Sequence, residues 1–515
     1  MPIQVTSFFT STDYLLTLPM IMLAVFAMGI MLIDLLLPAE WKPFNAWTAL
    51  VGLGFSAAAV WKIQRAQYIS GQPVVGSYGY IVGGLGAMKV DAFAIYFFYL
   101  FLAGAAIAVL MSIKYLEIEH EDHGEFYALM LFSVIGMMCM AAGMDLVLLF
   151  IGLELMALST YVLVGFLRRD RRSNEAALKY LLLGAFSSGI FAYGLSLIYG
   201  LTGSTNLDQI AVRLNDHIQS HPADPVAILA LLTVSAGLLF KIAAVPFHQW
   251  APDAYEGAPT SITGFMSVAV KAAGWALLLR IFLWGLPALR PMYLPLLTCV
   301  AVLTLIGGNL AALTQNNMKR LLAYSSISHV GYMMLGLIAS DGVTNRTGIL
   351  GILIYLLVYT FMNLGAFAVI TSLRRRDIIG DEIDDMAGLY VKAPVEALLL
   401  LVFLLSLAGI PPLAGFWGKY FVFLALIETG HYTLAAVAVL FAVLGLYYYA
   451  RIFNAAFMRA PLDREPVAAG AGMRLALLVT GLGTLVIGVF PNPFIEAVTR
   501  SLSLPQAGAM LGWIR

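Results

Sequence analysis

Apolar runs of about 18–25 residues follow one another along almost the whole chain, and nothing else limits its fold so strongly. At 1.5 Å of rise per residue, a helical run of that length crosses a hydrocarbon core of roughly 30 Å. The sequence is 61% hydrophobic and only 11% charged, with a mean hydropathy of +0.89. Soluble domains are roughly one quarter charged, so this chain needs lipid around it. About fourteen spans meet the length criterion. They lie at 14–37, 44–64, 91–113, 125–143, 146–167, 176–200, 225–249, 262–285, 291–314, 321–339, 347–373, 395–428, 433–457 and 472–494. The predicted fold class is therefore all-α, a polytopic membrane protein. The first run contains Asp34, exceeds a signal-peptide core and lacks a basic leader, which predicts a retained helix. Basic and acidic residues balance at 29 each, so the composition points to the lipid bilayer as partner and not to nucleic acid. Cys139 and Cys299 stand alone in separate runs, which predicts inert buried thiols and neither a disulfide nor a metal site.

The twelfth run is too long for one straight crossing and contains Gly409, Pro411, Pro412, Gly415 and Gly418. Helix breakers at membrane depth are tolerated where the freed backbone faces protein or water, so a functional break is expected there. The seventh run has a milder version, with Pro246 near its end. Spans four to eight and nine to thirteen each form a set of five whose fourth member is interrupted and carries a lysine. An odd number of helices per repeat turns the second copy upside down. The expected organisation is three N-terminal helices in 1–120, a first repeat in 121–290, an inverted repeat in 291–460, and a last helix with its tail in 461–515. Three loops are basic: Arg168, Arg169, Arg171 and Arg172; Lys319 and Arg320; and Arg374, Arg375 and Arg376. All fall on one side, and the excess of positive charge assigns that side to the cytoplasm and both termini to the outer face. The loop from Thr202 to Pro225 is poor in basic residues and fits the outer face.

A charged residue at the centre of an inserted helix costs about 2.5–3.5 kcal/mol, so each one calls for a reason. Glu154, Lys179, Lys241, Lys271 and Lys419 stand out inside apolar sequence. Burial penalises the charged form of a lysine and a nearby carboxylate restores it, so moving one charge can switch the amine between its two states. Lys241 and Lys271 are one hairpin apart and can share a depth on neighbouring helices, where their like charges couple. Plainer readings stand beside these. Lys179 can pair with Glu175 at i,i+4, Lys241 or Lys271 can snorkel, and Glu154 can be a structural partner. Asp34, Asp91 and Asp145 lie near span ends and fit interfacial solvation. His329, flanked by hydroxyls that could hold a water chain, is a further candidate for the relay. His248 and the residues after it read as a loop at the membrane surface. No dinucleotide fingerprint, phosphate loop or ligand-spaced Cys/His cluster is present, so no redox cofactor is expected in this chain.

These strings closely resemble the antiporter-like subunits in the membrane arm of respiratory complex I, NADH-quinone oxidoreductase. The matching stretches run from Leu153 to Tyr161, from Glu175 to Tyr180, from Phe240 to His248, from Trp250 to Thr260, from Lys319 to Ser326 and from Gly409 to Lys419. They cover nearly the whole chain. Three related subunits and multi-subunit sodium/proton antiporters share them. Lys419, Lys271 and the run from Glu154 to Tyr161 favour the subunit N branch. The resemblance implies inverted five-helix repeats with broken helices seven and twelve. It also implies an input pair of Glu154 with Lys179, a central axis of Lys241 and Lys271, and an outlet at Lys419. The partners implied are a neighbouring antiporter-like subunit and small membrane subunits of the arm, in a bacterial inner membrane. FMN, iron–sulfur clusters, NADH and quinone would be handled by other subunits. An independent sodium/proton antiporter component and a scaffold whose charges only pack are the competing readings.

Overall fold

The computed structural model describes residues 11–70, 87–340, 345–374, 380–461 and 470–502. It is a bundle of helices in chain order. The first six are α1 (Ser11–Asp34), α2 (Phe44–Ser70), α3 (Ala92–Glu119), α4 (Gly124–Ala142), α5 (Leu146–Val164) and α6 (Arg171–Thr202). A short amphipathic α7 (Leu207–Ser220) precedes α8 (Pro225–Lys241) and α9 (Trp250–Gly257). Next, α10 (Thr260–Phe265) and α11 (Lys271–Leu279) belong to one span, Thr260–Gly285, with π-helical turns at Met266–Val270 and Arg280–Gly285. The rest are α12 (Arg290–Leu313), α13 (Met318–Ile338), α14 (Thr347–Ser372), α15 (Leu389–Lys392), α16 (Pro394–Ala408), α17 (Ala414–Glu428), α18 (Tyr432–Met458), α19 (Ala471–Val489) and α20 (Asn492–Ser501).

Side-chain caps at the ends of the apolar runs set where many helices start. Asp91, Asp145, Asp170, Asn206, Asp224 and Asn317 each accept from an amide in the first turn of the helix that follows, satisfying donors no carbonyl can reach. Among the described residues, twelve helices are long and apolar enough to cross a membrane. The predicted seventh and twelfth spans are not among them, because each is two shorter helices in tandem: α8 with α9, and α16 with α17.

Both breaks have the same backbone design. At the end of α8 the Ala243 amide donates to Phe240 O and the Ala244 amide to Leu239 O. At the end of α16 the Gly409 amide donates to Ser406 O and the Ile410 amide to Leu405 O. This paired closure needs a left-handed residue after the helix, supplied by Gly409 at φ 88° and, unusually, by Ala243 at φ 59°. The first break therefore runs from Ile242 to Gln249, directly after Lys241 and across Pro246, at the end of the predicted span where that proline suggested it. His248 consequently belongs to the break between α8 and α9 and not to a surface loop. The loop expected from Thr202 to Pro225 contains α7, and α20 was not anticipated.

In lipid an apolar helix can face hydrocarbon, whereas a span that carries ionisable groups needs protein around it. The span Thr260–Gly285, α13 and α14 are almost wholly buried and form the middle of the bundle, while α1, α6 and α18 are peripheral. Close approach at the centre depends on small residues. A Cβ at Gly348 of α14 would fall 2.0 Å from the Gly336 carbonyl of α13.

Candidate functional site

The site begins at the first break. Lys241, the last residue of α8, is 5% exposed, and its amine donates to the Tyr161 hydroxyl at 3.4 Å while lying 5.7 Å from that ring's centre. Tyr161 meets Tyr180 edge-on at 4.5 Å, and Tyr180 stacks on Trp250 at 4.5 Å. The Trp250 indole donates to Phe240 O, the carbonyl that also accepts from the Ala243 amide where α8 stops. Glu154, on the same helix as Tyr161, has one carboxyl oxygen buried without a hydrogen-bond partner among the described residues.

Lys271 follows on the neighbouring span. It lies one turn from Gly274, where a Cβ would come 3.6 Å from the Lys241 Cβ, so the two lysines stand about one helical turn apart on facing elements. The Lys271 amine donates to the Ser326 hydroxyl and lies 5.8 Å from the Tyr255 ring centre. Three residues along α13, His329 bonds through Nδ1 to the Tyr355 hydroxyl at 2.6 Å and through Nε2 to that of Tyr449 at 3.2 Å. Tyr449 also bonds Ser325 at 2.6 Å. Beyond the histidine, the Lys419 amine donates to Leu407 O at 3.2 Å and Ala408 O at 2.7 Å, and lies 5.1 Å from the Tyr332 ring centre. Those carbonyls end α16, where the helix dipole favours a cation. Lys241, Lys271 and Lys419 are thus each held by hydroxyls, carbonyls and aromatic faces, and none forms an ion pair among the described residues. Ser326 and Tyr332 are among the hydroxyls that flank His329 in sequence, whereas Tyr161, Tyr255, Tyr355 and Tyr449 were missed as site residues; Tyr161 and Tyr255 stand inside the motif strings, and Tyr355 and Tyr449 carry no local signal.

No ion pair joins Lys179 to Glu154 among the described residues; its amine makes the expected i,i+4 pair with Glu175 at 2.9 Å and also bonds Asp253 at 3.0 Å. It is drawn there because Asp253 on α9 lies between Lys179 and Arg320, which also bonds Glu256 at 2.7 Å. These groups, with Arg172, line a polar cavity of about 230 Å³. Asp91, expected at the solvated interface, is 4% exposed and grips the fully buried Arg280. Arg280 was overlooked inside the run Leu279-Arg280-Ile281, although a lone cation in apolar sequence is the same signal that marked the lysines. Asp145 caps α5 and accepts from Thr205, and Asp34 accepts from Asn45 at 2.6 Å. Cys299 is exposed and not a buried thiol, because α12 turns it outward from the bundle. Of the basic residues expected to share one side, Arg375 and Arg376 lie outside the described residues.

Residues 143–445 match the family described as NADH:quinone oxidoreductase/Mrp antiporter, TM. NADH-quinone oxidoreductase subunit N 1 of Koribacter versatilis (strain Ellin345) is 68% identical over 504 residues, covering 98% of both chains. The chain belongs to the subunit N branch of that family. Subunit N 2 of Solibacter usitatus (strain Ellin6076) is 52% identical, covering 97% of this chain and 99% of its own. A respiratory complex I from Thermus thermophilus with bound aureothin contains a chain that is 33% identical, with a TM-score of 0.76 over 93% of this chain and 99% of that one.

Proposed function

We propose that this member of the subunit N branch moves protons along Glu154, Lys241, Lys271, His329 and Lys419 while the electron chemistry of an NADH-quinone oxidoreductase proceeds in other subunits. The observation that carries the reading is the set of three buried lysines, 5%, 2% and 8% exposed, none locked to a carboxylate among the described residues. An amine fixed in an ion pair is a structural charge. One held by hydroxyls and carbonyls can hand its proton along a hydrogen-bonded chain. A shift of charge at Glu154 weakens the hold on the Lys241 proton, which then moves towards Lys271, His329 and Lys419. In this reading Lys179, with Glu175, Asp253 and Arg320, forms the polar mouth of the path.

The reading takes the two broken spans as full crossings, fourteen in all, with repeats at 121–290 and 291–460. Two isolated backbone bridges support it, Asp145 to Asn206 and Asn317 to Glu382. Each joins the loop between the first two helices of a set to the chain after the third. Five crossings separate the two bridges, so parity puts them at opposite ends, as inversion requires. The basic residues of the α5–α6, α12–α13 and α14–α15 connections assign their end to the cytoplasm and both termini to the outer face of a bacterial inner membrane. Neighbouring antiporter-like and small membrane subunits are the partners, and FMN, iron–sulfur clusters, NADH and quinone belong to the rest of the complex.

The test is Lys241→Ala in the assembled complex reconstituted in vesicles. Redox-linked proton pumping is expected to be lost with assembly intact. Pumping at the unsubstituted rate would leave the buried charges a packing role only. Sodium-stimulated transport by a preparation devoid of NADH dehydrogenase activity would favour the independent antiporter.

A further inference from the structure

Three buried oxygens near the start of the path have no hydrogen-bond partner among the described residues: Oε1 of Glu154, Oγ of Ser187 and Oγ of Ser188. A helical serine or threonine ordinarily bonds back to a carbonyl of the preceding turn. Ser159 does so to Leu155 O at 2.8 Å, and Thr202 to Ile198 O at 2.7 Å. Ser187 and Ser188 do not, although both are buried, at 7% and 6% exposure. Buried polar groups without a protein partner usually meet ordered water.

Contacts on either side put these oxygens in one layer. Tyr161 of α5 lies against Gly184 of α6, where a Cβ would strike the tyrosine hydroxyl. Phe150, one turn before Glu154, stacks on Phe191 of α6 at 6.5 Å. Glu154 therefore faces the stretch of α6 between Gly184 and Phe191, which is where Ser187 and Ser188 stand. On the other flank, a Cβ at Gly237 of α8 would come 2.5 Å from the Phe191 Cβ, and one at Gly194 would come 2.7 Å from the Val234 amide, so α6 and α8 run antiparallel. Lys241 is one turn beyond Gly237 and so returns to the level of the two serines.

We propose that Ser187 and Ser188 hold a water between the Glu154 carboxyl and the Lys241 amine, and so act as positioning residues for the first proton transfer. A hydroxyl both donates and accepts, which lets it orient a water for transfer in either direction. The step balances with no further reactant: one group gives a proton to the water as the water gives one to the other, so two bonds to hydrogen break, two form, and the water is regenerated. The inference rests on the relay proposed above.

The experiment is Ser187→Ala with Ser188→Ala in the reconstituted complex, beside Lys241→Ala. Alanine removes only the hydroxyls, so yield should hold. Redox-linked proton release per assembled complex is expected to fall roughly tenfold, with a larger solvent isotope effect. Unchanged release and isotope effect, with Lys241→Ala still blocking pumping, would overturn the inference and leave the relay standing. Reduced yield with normal release per complex would also overturn it, since packing then accounts for the serines. If Lys241→Ala is silent as well, the relay fails and this inference with it. Each single alanine variant carries the same readout should the pair not assemble.

Discussion

Asp91→Asn should cost the protein about 3–5 kcal/mol, the amount lost when one partner of a buried ion pair is removed. Arg280 is fully buried, and its guanidinium donates to the two Asp91 oxygens at 2.9 and 2.7 Å and to Ala141 O at 2.9 Å. It lies 4.7 Å from the ring centres of both Phe93 and Trp284. Asparagine keeps the size and can still cap α3, where Asp91 accepts from the Ala94 amide at 2.9 Å. What it removes is the counter-charge, leaving a guanidinium stranded without water. Replacing both partners avoids that penalty, so Arg280→Met added to Asp91→Asn should restore much of the loss. A residue of about 1–3 kcal/mol should remain, because Ala141 O then lacks its donor. The assay is a double-mutant cycle, with unfolding of the chain in lipid bicelles driven by SDS and followed by tryptophan fluorescence. Effects that add to within about 0.5 kcal/mol would refute the coupling. So would an Asp91→Asn cost below about 1 kcal/mol, which would mean that water reaches Arg280.

Two further predictions concern other parts of the molecule. Asp122, between α3 and α4, has its carboxyl pushed up to about 6, chiefly by burial, with Lys42 opposing and Asp34 reinforcing the shift. Its folded value exceeds the ordinary 3.8, so its contribution to stability is complete below that pH and lost as pH rises through about 6. Asp122→Asn should therefore raise the unfolding midpoint at neutral pH and flatten its decline across that window; a pH slope identical to the parent's would contradict the assignment. Gly409→Ala would force a side chain into the left-handed region, at about 1–2 kcal/mol, with its Cβ 2.8 Å from Lys419 Cδ. Pumping per assembled complex should fall more than yield does, as Lys419 leaves the Leu407 and Ala408 carbonyls. Normal pumping would show that this lysine does not depend on the helix end.

How much of this could be read in advance follows from the energetics of burial. Run length and apolarity are local quantities, and lipid forces every backbone polar group to be satisfied within its own helix, so most spans were legible. Lys241, Lys271 and Lys419 were legible too, because charge in apolar sequence is costly wherever it sits. Arg280 was equally visible and was overlooked. The break after Lys241 was announced by Pro246 alone, because Ala243 takes the conformation that Gly409 advertises at the other break. The π-helical turns flanking α11 left no mark, since they depend on packing around a span buried on all sides. Partners were the least legible. Lys179 had Glu175 in its own helix and Glu154 by resemblance, yet its second bond goes to Asp253, 74 residues away. Asp91 and Arg280 are separated by 189. By itself, then, the sequence determined that the chain crosses a membrane many times and which ionisable groups it carries inside. Only the tertiary structure decided which of them are locked in ion pairs and which are left among hydroxyls and carbonyls, because a partner so distant in sequence is chosen by how helices pack.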